Sequence, residues 1–299
     1  MPSPSAPTKI AYFTAGTVGA GHMVRGEAIA RGLQRAGFEG EYRVFAPPTD
    51  FDGVGRAPRS SVVVKGDPML ADPEQAAESV LARALREFAP DLLIVDMFWA
   101  PMRHVLAALD CPAWLLVRAC PPVWLQGRGD VRFDPGSWER IIEIEPLNLA
   151  RATHRIDPIV VVDPAECESV ADSRAQLGVE VGQEIAVVCH AGKPGELEVL
   201  RQTAERVRPP GCTLVSLDLR RQGLFPAAAW LEAASCIVMG AGYNGFWETQ
   251  WLGRDARTHF VPFERSLDRQ SLRVDVFRGR KPTSNGANTL AEQILARTV

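Results

Sequence analysis

The sequence predicts an α/β protein made of two Rossmann-like halves with a cleft between them. Short apolar runs alternate with segments of helical periodicity, which is typical of parallel βαβ units. The alternation pauses at residues 153–166 and then restarts, and 299 residues suffice for two such units. We therefore predict domains over residues 1–155 and 156–299, with the last helix packing back on the first domain.

The N-terminal half begins with a predicted strand, "KIAYFTA", and a helix from His22 to Ala36 that Gly37 ends. A second helix is predicted over Glu74–Phe88, where apolar residues recur at three- and four-residue steps. Further strands are predicted at "YRVFA", "DLLIVD" and "AWLLVR". Residues 119–146 break the pattern and are predicted to form an irregular loop, either functional or merely packed over the core.

The C-terminal half repeats the alternation more regularly. Its predicted strands are "EIAVVCHA", "TLVSLD", "CIVMGA" and "RTHFVPF". Its predicted helices are "GELEVLRQTAERV", "PAAAWLEAA", "NGFWETQWL", "RQSLRVDVF" and a final one near Ala287–Arg297. Ligands of such sheets bind beyond the carboxyl ends of the strands, so we expect the binding site in the cleft.

Composition argues against several classes of protein. A net charge of −3 offers no basic surplus for nucleic acid. The sequence contains no apolar run of about 18 residues that would span a membrane. The start, "MPSPSAPTK", lacks the apolar segment of a signal peptide and is interpreted as a disordered tail. The six cysteines are scattered without a C-x-x-C pair, so we expect no zinc site or disulfide framework and a cytoplasmic location.

A first glycine-rich loop joins the first strand to the first helix through Gly16, Gly19 and Gly21. Binding of a nicotinamide dinucleotide would require the order G-x-G-x-x-G and an acidic residue at the end of the second strand. The order here is G-x-x-G-x-G, and the second strand runs into "FAPPTD" without an acid at its tip. The loop is therefore interpreted as a tight turn that lets the helix pack closely.

A second glycine-rich loop, "MGAGYNGFWE", precedes a predicted helix for which Asn244 is the expected N-cap. Gly242 lets the backbone approach a ligand, and the free amides of the helix N-terminus suit a pyrophosphate. Glu248 lies one turn into the helix, near the expected position of an attached ribose. The alternative is a first-turn acid that only complements the helix dipole.

A third turn, "CHAGKPGE", places Gly192 and Lys193 where they would face the same phosphates or simply form a solvated loop. One D-x-D sequence, Asp50 and Asp52, is of the type that holds a divalent ion on a donor diphosphate. Because a helix N-terminus already supplies a positive field, we expect no required metal.

These motifs together resemble the GT-B nucleotide-sugar glycosyltransferases. The stretches "GTVGAGHMVRGEAIARGL" and "GAGYNGFWETQWLGRDARTHFVPFERSLDRQ" look like the two signature regions of the family, in the same order. Similar members are the N-acetylglucosaminyltransferase of peptidoglycan synthesis and the UDP-sugar hydrolase of pseudaminic acid synthesis. The resemblance implies GT-B architecture, with two Rossmann-like domains facing a central cleft. It also implies a nucleotide-sugar co-substrate, UDP-linked, and no other cofactor.

The resemblance also assigns roles within the donor site. The positions concerned are Gly242, Tyr243 and Asn244 for the pyrophosphate, Glu248 for the ribose, Leu224 and Phe225 for the base, and Asp268 and Gln270 for the transferred sugar. The chain departs from the family pattern at two places. At the junction, "DPIVVVDPAE" lacks the phosphate-facing arginine that some members carry after a proline. The family commonly has Gln-x-x-Asn-Ala where this chain reads Gln-Ser-Leu-Arg-Val over residues 270–274, so Arg273 alters the donor pocket and leaves the sugar open.

His22 and Asp96 are the predicted catalytic residues. A helix N-terminus disfavours the imidazolium ion, so His22 is expected to be neutral and able to accept a proton. Asp96 ends the strand "DLLIVD" and would orient His22, bind the acceptor or act as the base; the plain alternative is an acid held by loop amides. Arg25, three residues beyond His22, is interpreted as a solvated helix arginine.

Three functions remain open from the sequence. The first is metal-independent, inverting transfer of a sugar to the hydroxyl of a small molecule, natural product or glycolipid. The second is hydrolysis of a nucleotide sugar, with water as the acceptor. The third is nucleotide-sugar binding without catalysis, for which the altered position of Arg273 and the missing phosphate-facing arginine are the reasons.

Overall fold

Two parallel sheets flanked by helices confirm the predicted α/β class. The computed structural model describes residues 6–17, 19–49, 54–147, 149–218 and 225–297. Residues 1–5, Asp50, Asp52 and Leu224 lie outside the described residues, so the predictions made for them stay predictions. The end of the predicted disordered tail is ordered, because Lys9 begins the first strand and the Thr8 amide donates to Asp91 at 2.7 Å. None of the helices described is long and apolar enough to cross a membrane.

The first sheet runs through the N-terminal half, and within the described residues it has seven parallel strands. In chain order its strands are β1 (Lys9–Phe13), β2 (Glu41–Ala46), β3 (Arg59–Ser61), β4 (Leu92–Asp96), β5 (Ala113–Val117), β8 (Arg140–Glu143) and β9 (His154–Arg155). A small antiparallel hairpin lies between them, formed by β6 (Gly127–Arg128) and β7 (Val131–Arg132). The spatial order of the sheet is β3-β2-β1-β4-β5-β8-β9.

The second sheet belongs to the C-terminal half and has the spatial order β11-β10-β12-β13, all parallel. Its strands are β10 (Ile185–His190), β11 (Thr213–Asp218), β12 (Cys236–Gly240) and β13 (Thr258–Val261). The α-helices of both halves are α1 (Gly21–Arg35), α2 (Val80–Phe88), α3 (Val170–Leu177), α4 (Pro194–Val207), α5 (Tyr243–Trp251), α6 (Gln270–Phe277) and α7 (Gly286–Leu295).

Several predicted elements differ from the structure. The helix predicted over Glu74–Phe88 begins only at Val80, because Ser79 caps it by accepting a hydrogen bond from the amide of Ala82 at 3.1 Å. The preceding residues form short 3-10 turns, and so does the predicted helix "PAAAWLEAA". The predicted loop 119–146 contains β8, whose apolar run is too short to stand out as a strand. The helix α3 was not predicted.

The last helix contributes to the core of the N-terminal half. Ala287, Leu290 and Ile294 of α7 are fully buried in the same cluster as Ile29 and Leu33 of α1. The two helices approach closely at a glycine. A Cβ atom on Gly32 would lie 2.4 Å from the carbonyl oxygen of Ala287. The chain therefore returns to its first domain after completing the second.

Helix α5 holds the two halves together from the C-terminal side. Tyr243, Phe246 and Trp247 are buried in the cluster that also contains α1 and the centre of the first sheet. The Tyr243 hydroxyl accepts a hydrogen bond from the amide of Ile159 at 2.8 Å and donates one to the carbonyl of Ile144 at 3.1 Å. The carboxyl ends of both sheets consequently face one cleft.

The contact between α1 and α7 gives a first prediction. Replacing Gly32 by Ala places a methyl group against the backbone of α7 and should lower the free energy of unfolding by about 1–3 kcal/mol, as overpacking does. Gly195→Ala is the matched control, because it is also a helical glycine and its Cβ would meet no atom within 4 Å. Urea unfolding of both variants measures the effect, and equal stability of the two would contradict the close contact.

Candidate functional site

A cavity of about 420 Å³ lies between the carboxyl ends of the two sheets. Most of the residues predicted for the site line it. They are Gly16, Gly19, Gly21, His22, Gly192, Phe225, Gly242, Tyr243, Asn244, Glu248, Asp268 and Gln270. Lys193 is exposed and not among the lining residues, and Asp96 lies behind His22. The structure thus brings the three predicted turns to one place.

Asp96 is fully buried at the end of β4 and binds His22. The distance from its Oδ2 atom to His22 Nδ1 is 2.7 Å. We assign the shared proton to Nδ1, because a carboxylate accepts hydrogen bonds. The second ring nitrogen, Nε2, has no hydrogen-bond partner among the described residues and is left for the cavity.

Arg25 is buried, which makes its interpretation as a solvated helix arginine wrong. Its Nε donates to Asp96 Oδ2 at 3.0 Å, and its guanidinium group lies 4.6 Å from the ring centre of Tyr243. The Tyr12 hydroxyl lies 2.5 Å from the same carboxylate oxygen. A buried carboxylate needs such partners, since an isolated charge in the protein interior is strongly destabilising.

Burial lowers the pKa of His22, and the charge of Asp96 only partly opposes this effect. Burial alone would raise the pKa of Asp96, but the neighbouring Arg25 and His22 outweigh it and hold that pKa well below its usual range. At neutral pH the pair therefore consists of an ionised carboxylate and a neutral imidazole. A neutral imidazole with one free nitrogen is able to accept a proton.

The first glycine-rich loop brings the backbone close to both halves. A Cβ on Gly16 would lie 2.4 Å from Cδ2 of His22, so the absence of a side chain gives the imidazole its place. Gly19 has a φ of +73°, and a Cβ there would lie 3.2 Å from the carbonyl oxygen of Ala191 in the second half. This contact explains the glycine as a close packing turn.

The N-terminus of α5 opens on the cavity, but its cap differs from the prediction. Gly242 is the N-cap residue, and Asn244 lies inside the first turn. The Asn244 side chain instead donates to the carbonyl oxygen of Gly21 at 2.8 Å, across the cleft. The amides of the first helical turn remain without partners inside the helix and can bind an anion.

Glu248 is 8% exposed and follows one turn later on α5. Its Oε1 atom is buried without a hydrogen-bond partner. Burial raises the pKa of Glu248 to about 7. A carboxylate in this state is suited to accept hydrogen bonds from the hydroxyl groups of a ligand, which would restore the interactions that burial removes.

The third turn carries a polar cluster centred on Glu196. Its Oε2 atom accepts hydrogen bonds from the backbone of Lys193 at 2.9 Å and from Arg265 at 2.5 Å, and it lies 2.9 Å from His190 Nε2. His190 and Arg265 line the cavity, whereas Lys193 does not. Arg265 is therefore a cation that the cavity offers beside Gly192, a role that sequence analysis assigned to Lys193.

Asp268 and Gln270 lie on a network that crosses between the halves. Asp268 Oδ1 accepts hydrogen bonds from Arg118 at 2.5 Å and from Arg273 at 2.8 Å, and Gln270 donates to its Oδ2 at 3.1 Å. Burial would raise the pKa of Asp268, but Arg118 and Arg273 outweigh it and lower that pKa to about 2. Asp268 is thus an ionised residue at neutral pH.

Arg273, one of the two departures from the family pattern, is fully buried and not among the lining residues. Its Nε donates to Glu145 at 2.7 Å, and Glu145 also accepts a hydrogen bond from the indole of Trp247 at 2.6 Å. The arginine therefore serves the junction between the halves and does not fill the cavity.

Three residues of the cavity wall carry buried polar atoms that have no hydrogen-bond partner. Among the described residues, Arg118 Nε, Asn244 Oδ1 and Glu248 Oε1 are buried without a hydrogen-bond partner, and all three residues line the cavity. Buried polar groups in folded proteins are nearly always paired, so this set indicates a polar ligand. Within the same part of the chain no group of three or more His, Cys, Asp or Glu side chains could hold a metal ion.

Four residues in or directly behind the cavity wall were not predicted from the sequence: Arg118, Glu145, His190 and Arg265. Arg118 follows β5 and His190 ends β10, so both lie at carboxyl ends of strands, where the rule that located Asp96 would have found them. Glu145 follows β8, which lies in the segment predicted to be an irregular loop. Arg265 has no comparable signal.

Comparisons with known proteins bear on the fold. No model of a known protein family matches the sequence, and no curated protein is significantly similar to it. Among solved structures, the spinosyn forosaminyltransferase SpnP is 15% identical and has a TM-score of 0.59 over 96% of this chain and 90% of its own. The glycosyltransferase SsfS6 of Streptomyces sp. SF2575, solved with thymidine diphosphate, is 15% identical with a TM-score of 0.53 over 86% and 82%.

The spinosyn rhamnosyltransferase SpnG is similar to the same degree, with 15% identity and a TM-score of 0.50 over 82% of this chain and 78% of its own. At such low identity these likenesses concern the course of the backbone, and they agree with the two sheets described above. The chain has the GT-B fold, as its sequence motifs predicted.

Proposed function

We propose that this protein is a glycosyltransferase that moves a sugar from a nucleoside-diphosphate sugar to an acceptor hydroxyl group. The observation that carries the proposal is the position of His22. Its partner Asp96 holds Nδ1, its Nε2 is left for the cavity, and the N-terminus of α5 opens on the same cavity. A base and an anion site thus border the same cavity.

The donor diphosphate is proposed to bind the amides of the first turn of α5, beyond Gly242. Arg265 and His190 border this place, and Arg265 supplies a positive charge there. Glu248 would bind the ribose, and Phe225 would contact the base. The nucleotide is proposed to be UDP; the thymidine diphosphate in SsfS6 makes TDP the other pyrimidine nucleotide to test.

The reaction follows from this arrangement. His22 Nε2 takes the proton of the acceptor hydroxyl while the oxygen attacks the anomeric carbon of the sugar. The bond between that carbon and the diphosphate oxygen breaks, and the nucleoside diphosphate leaves with the electron pair. Attack from the side opposite the leaving group inverts the configuration. Asp96 stabilises the imidazolium that forms, and the helix N-terminus stabilises the charge on the leaving diphosphate.

The alternatives differ in the acceptor and in turnover. Water in place of the acceptor would make the protein a nucleotide-sugar hydrolase, which would release free sugar rapidly from a donor without an acceptor. The non-catalytic alternative was based on Arg273 and on the missing phosphate-facing arginine. The burial of Arg273 with Glu145 leaves the cavity open, which supports catalysis.

The role of His22 gives a second prediction. His22→Ala should lower turnover by about 10²–10⁴-fold, because the general base is lost, while calorimetry should show UDP or TDP affinity unchanged. His259→Ala is the matched control, since His259 is exposed on β13 and is not among the lining residues. Equal turnover of wild type and His22→Ala on any donor that wild type consumes would overturn the role of the base.

Glu248 gives a third prediction. Its carboxyl group has a pKa raised to about 7, and ribose hydroxyls donate to the ionised form. Nucleotide binding should therefore release a proton below pH 7 and tighten by up to about tenfold from pH 6 to pH 8. Calorimetry should show this extra pH dependence in wild type and not in Glu248→Gln. The phosphate of the nucleotide titrates equally in both, so parallel pH profiles would contradict the assignment.

A further inference from the structure

The guanidinium group of Arg118 has one edge engaged and one edge free. Its Nη1 donates to Asp268. Its Nε is buried and has no hydrogen-bond partner, and no partner of Nη2 is found among the described residues. The side chain is 8% exposed and belongs to the cavity wall. A buried arginine edge without an acceptor is costly, so the missing acceptor is expected from a ligand.

The free edge has a defined geometry. The N–H groups of Nε and Nη2 point the same way and bind two neighbouring oxygen atoms side by side. Both a carboxylate and a pair of adjacent hydroxyl groups offer such oxygens. The two are distinguished by charge.

The local charge favours hydroxyl groups. Arg118 and Arg273 are two positive charges, and Asp268 and Glu145 are two negative charges in direct contact with them. The cluster is therefore balanced, and a ligand carboxylate would leave an extra negative charge in a buried place. Neutral oxygens satisfy the N–H groups without that cost.

The position of Arg118 decides which part of the ligand it contacts. Arg118 comes from the N-terminal wall, directly after β5, and lies close enough to His22 that its charge lowers the pKa of that imidazole. In the proposed reaction the sugar carbon must lie beside His22, while the diphosphate and ribose lie against α5. The group beside both His22 and Asp268 is then the transferred sugar.

We propose that Arg118 is a specificity-determining residue that recognises two adjacent hydroxyl groups of the transferred sugar by donating hydrogen bonds from Nε and Nη2. The donor sugar is accordingly a hexose that keeps this diol, and a donor deoxygenated at either position binds less tightly. This inference rests on the proposed function, since it places the sugar by the chemistry of His22.

The test measures binding without an acceptor. Calorimetry compares UDP with UDP-glucose and UDP-galactose, their 3-deoxy and 4-deoxy counterparts, and UDP-glucuronic acid, with TDP donors in parallel. Wild type should bind one hexose donor more tightly than its deoxy counterpart by about 10- to 100-fold, the range for hydrogen bonds to a charged group. Arg118→Met should lose this difference and bind the free nucleotide as wild type does.

Two further variants keep the test decisive. Arg118→Lys retains a cation opposite Asp268 but lacks the two-atom edge, so it should fold normally and still lose the discrimination. Arg201→Met, an exposed arginine on α4, should behave as wild type.

The remaining outcomes would contradict the role of Arg118, the assignment of a diol or the proposed function. Nucleotide binding with unchanged discrimination in both Arg118 variants overturns the role of Arg118 and leaves the proposed function standing. Wild type that binds no hexose donor more tightly than the free nucleotide also overturns it. A preference for UDP-glucuronic acid that Arg118→Met abolishes replaces the diol by a carboxylate. Absence of any nucleotide binding overturns the proposed function itself.

Discussion

The buried carboxylate of Asp96 is the interaction on which the site depends. It receives hydrogen bonds from β1 through Tyr12 and from α1 through His22 and Arg25, and Arg25 in turn lies over Tyr243 of α5. One charge therefore fixes the first strand, the first helix and the edge of the second domain relative to one another. Removing a single partner of such a buried charge typically costs about 3–5 kcal/mol. The orientation of the imidazole depends on this set.

A second buried carboxylate of the N-terminal half, Glu145, also joins the two halves. Glu145 binds Arg273 and Trp247 of the C-terminal half and the backbone amide of Ala119 in its own half. Both carboxylates belong to the N-terminal wall of the cavity; Glu145 binds the C-terminal wall directly, and Asp96 does so through Arg25. Arg118, Asn244 and Glu248 line the cavity between these walls, and each has one buried polar atom without a partner.

The sequence was most informative where a local signal and a chain-wide pattern agreed. The alternation of strands and helices predicted both sheets, and the rule that ligands bind at the carboxyl ends of strands located His22, Asp96 and the glycine-rich turns. The predicted start of one helix was wrong. The helix begins at Val80 because Ser79 caps it, although helical periodicity extends further back in the sequence. The interpretation of Arg25 as a solvated arginine was wrong because helix periodicity does not reveal that a charged side chain is buried against Asp96. The partners of Arg273 and Arg118 are distant in sequence, and no local pattern contains them.

The return of α7 to the first domain has a consequence for how the chain folds. Residues 286–295 complete a core whose other members begin at Ile10, so the N-terminal half has a gap in its interior until residue 295 has been synthesised. A ribosome-bound N-terminal half would expose the apolar surface of α1 during translation. The two halves are thus expected to reach stability in one cooperative step, and the order of synthesis does not fix an order of domain folding.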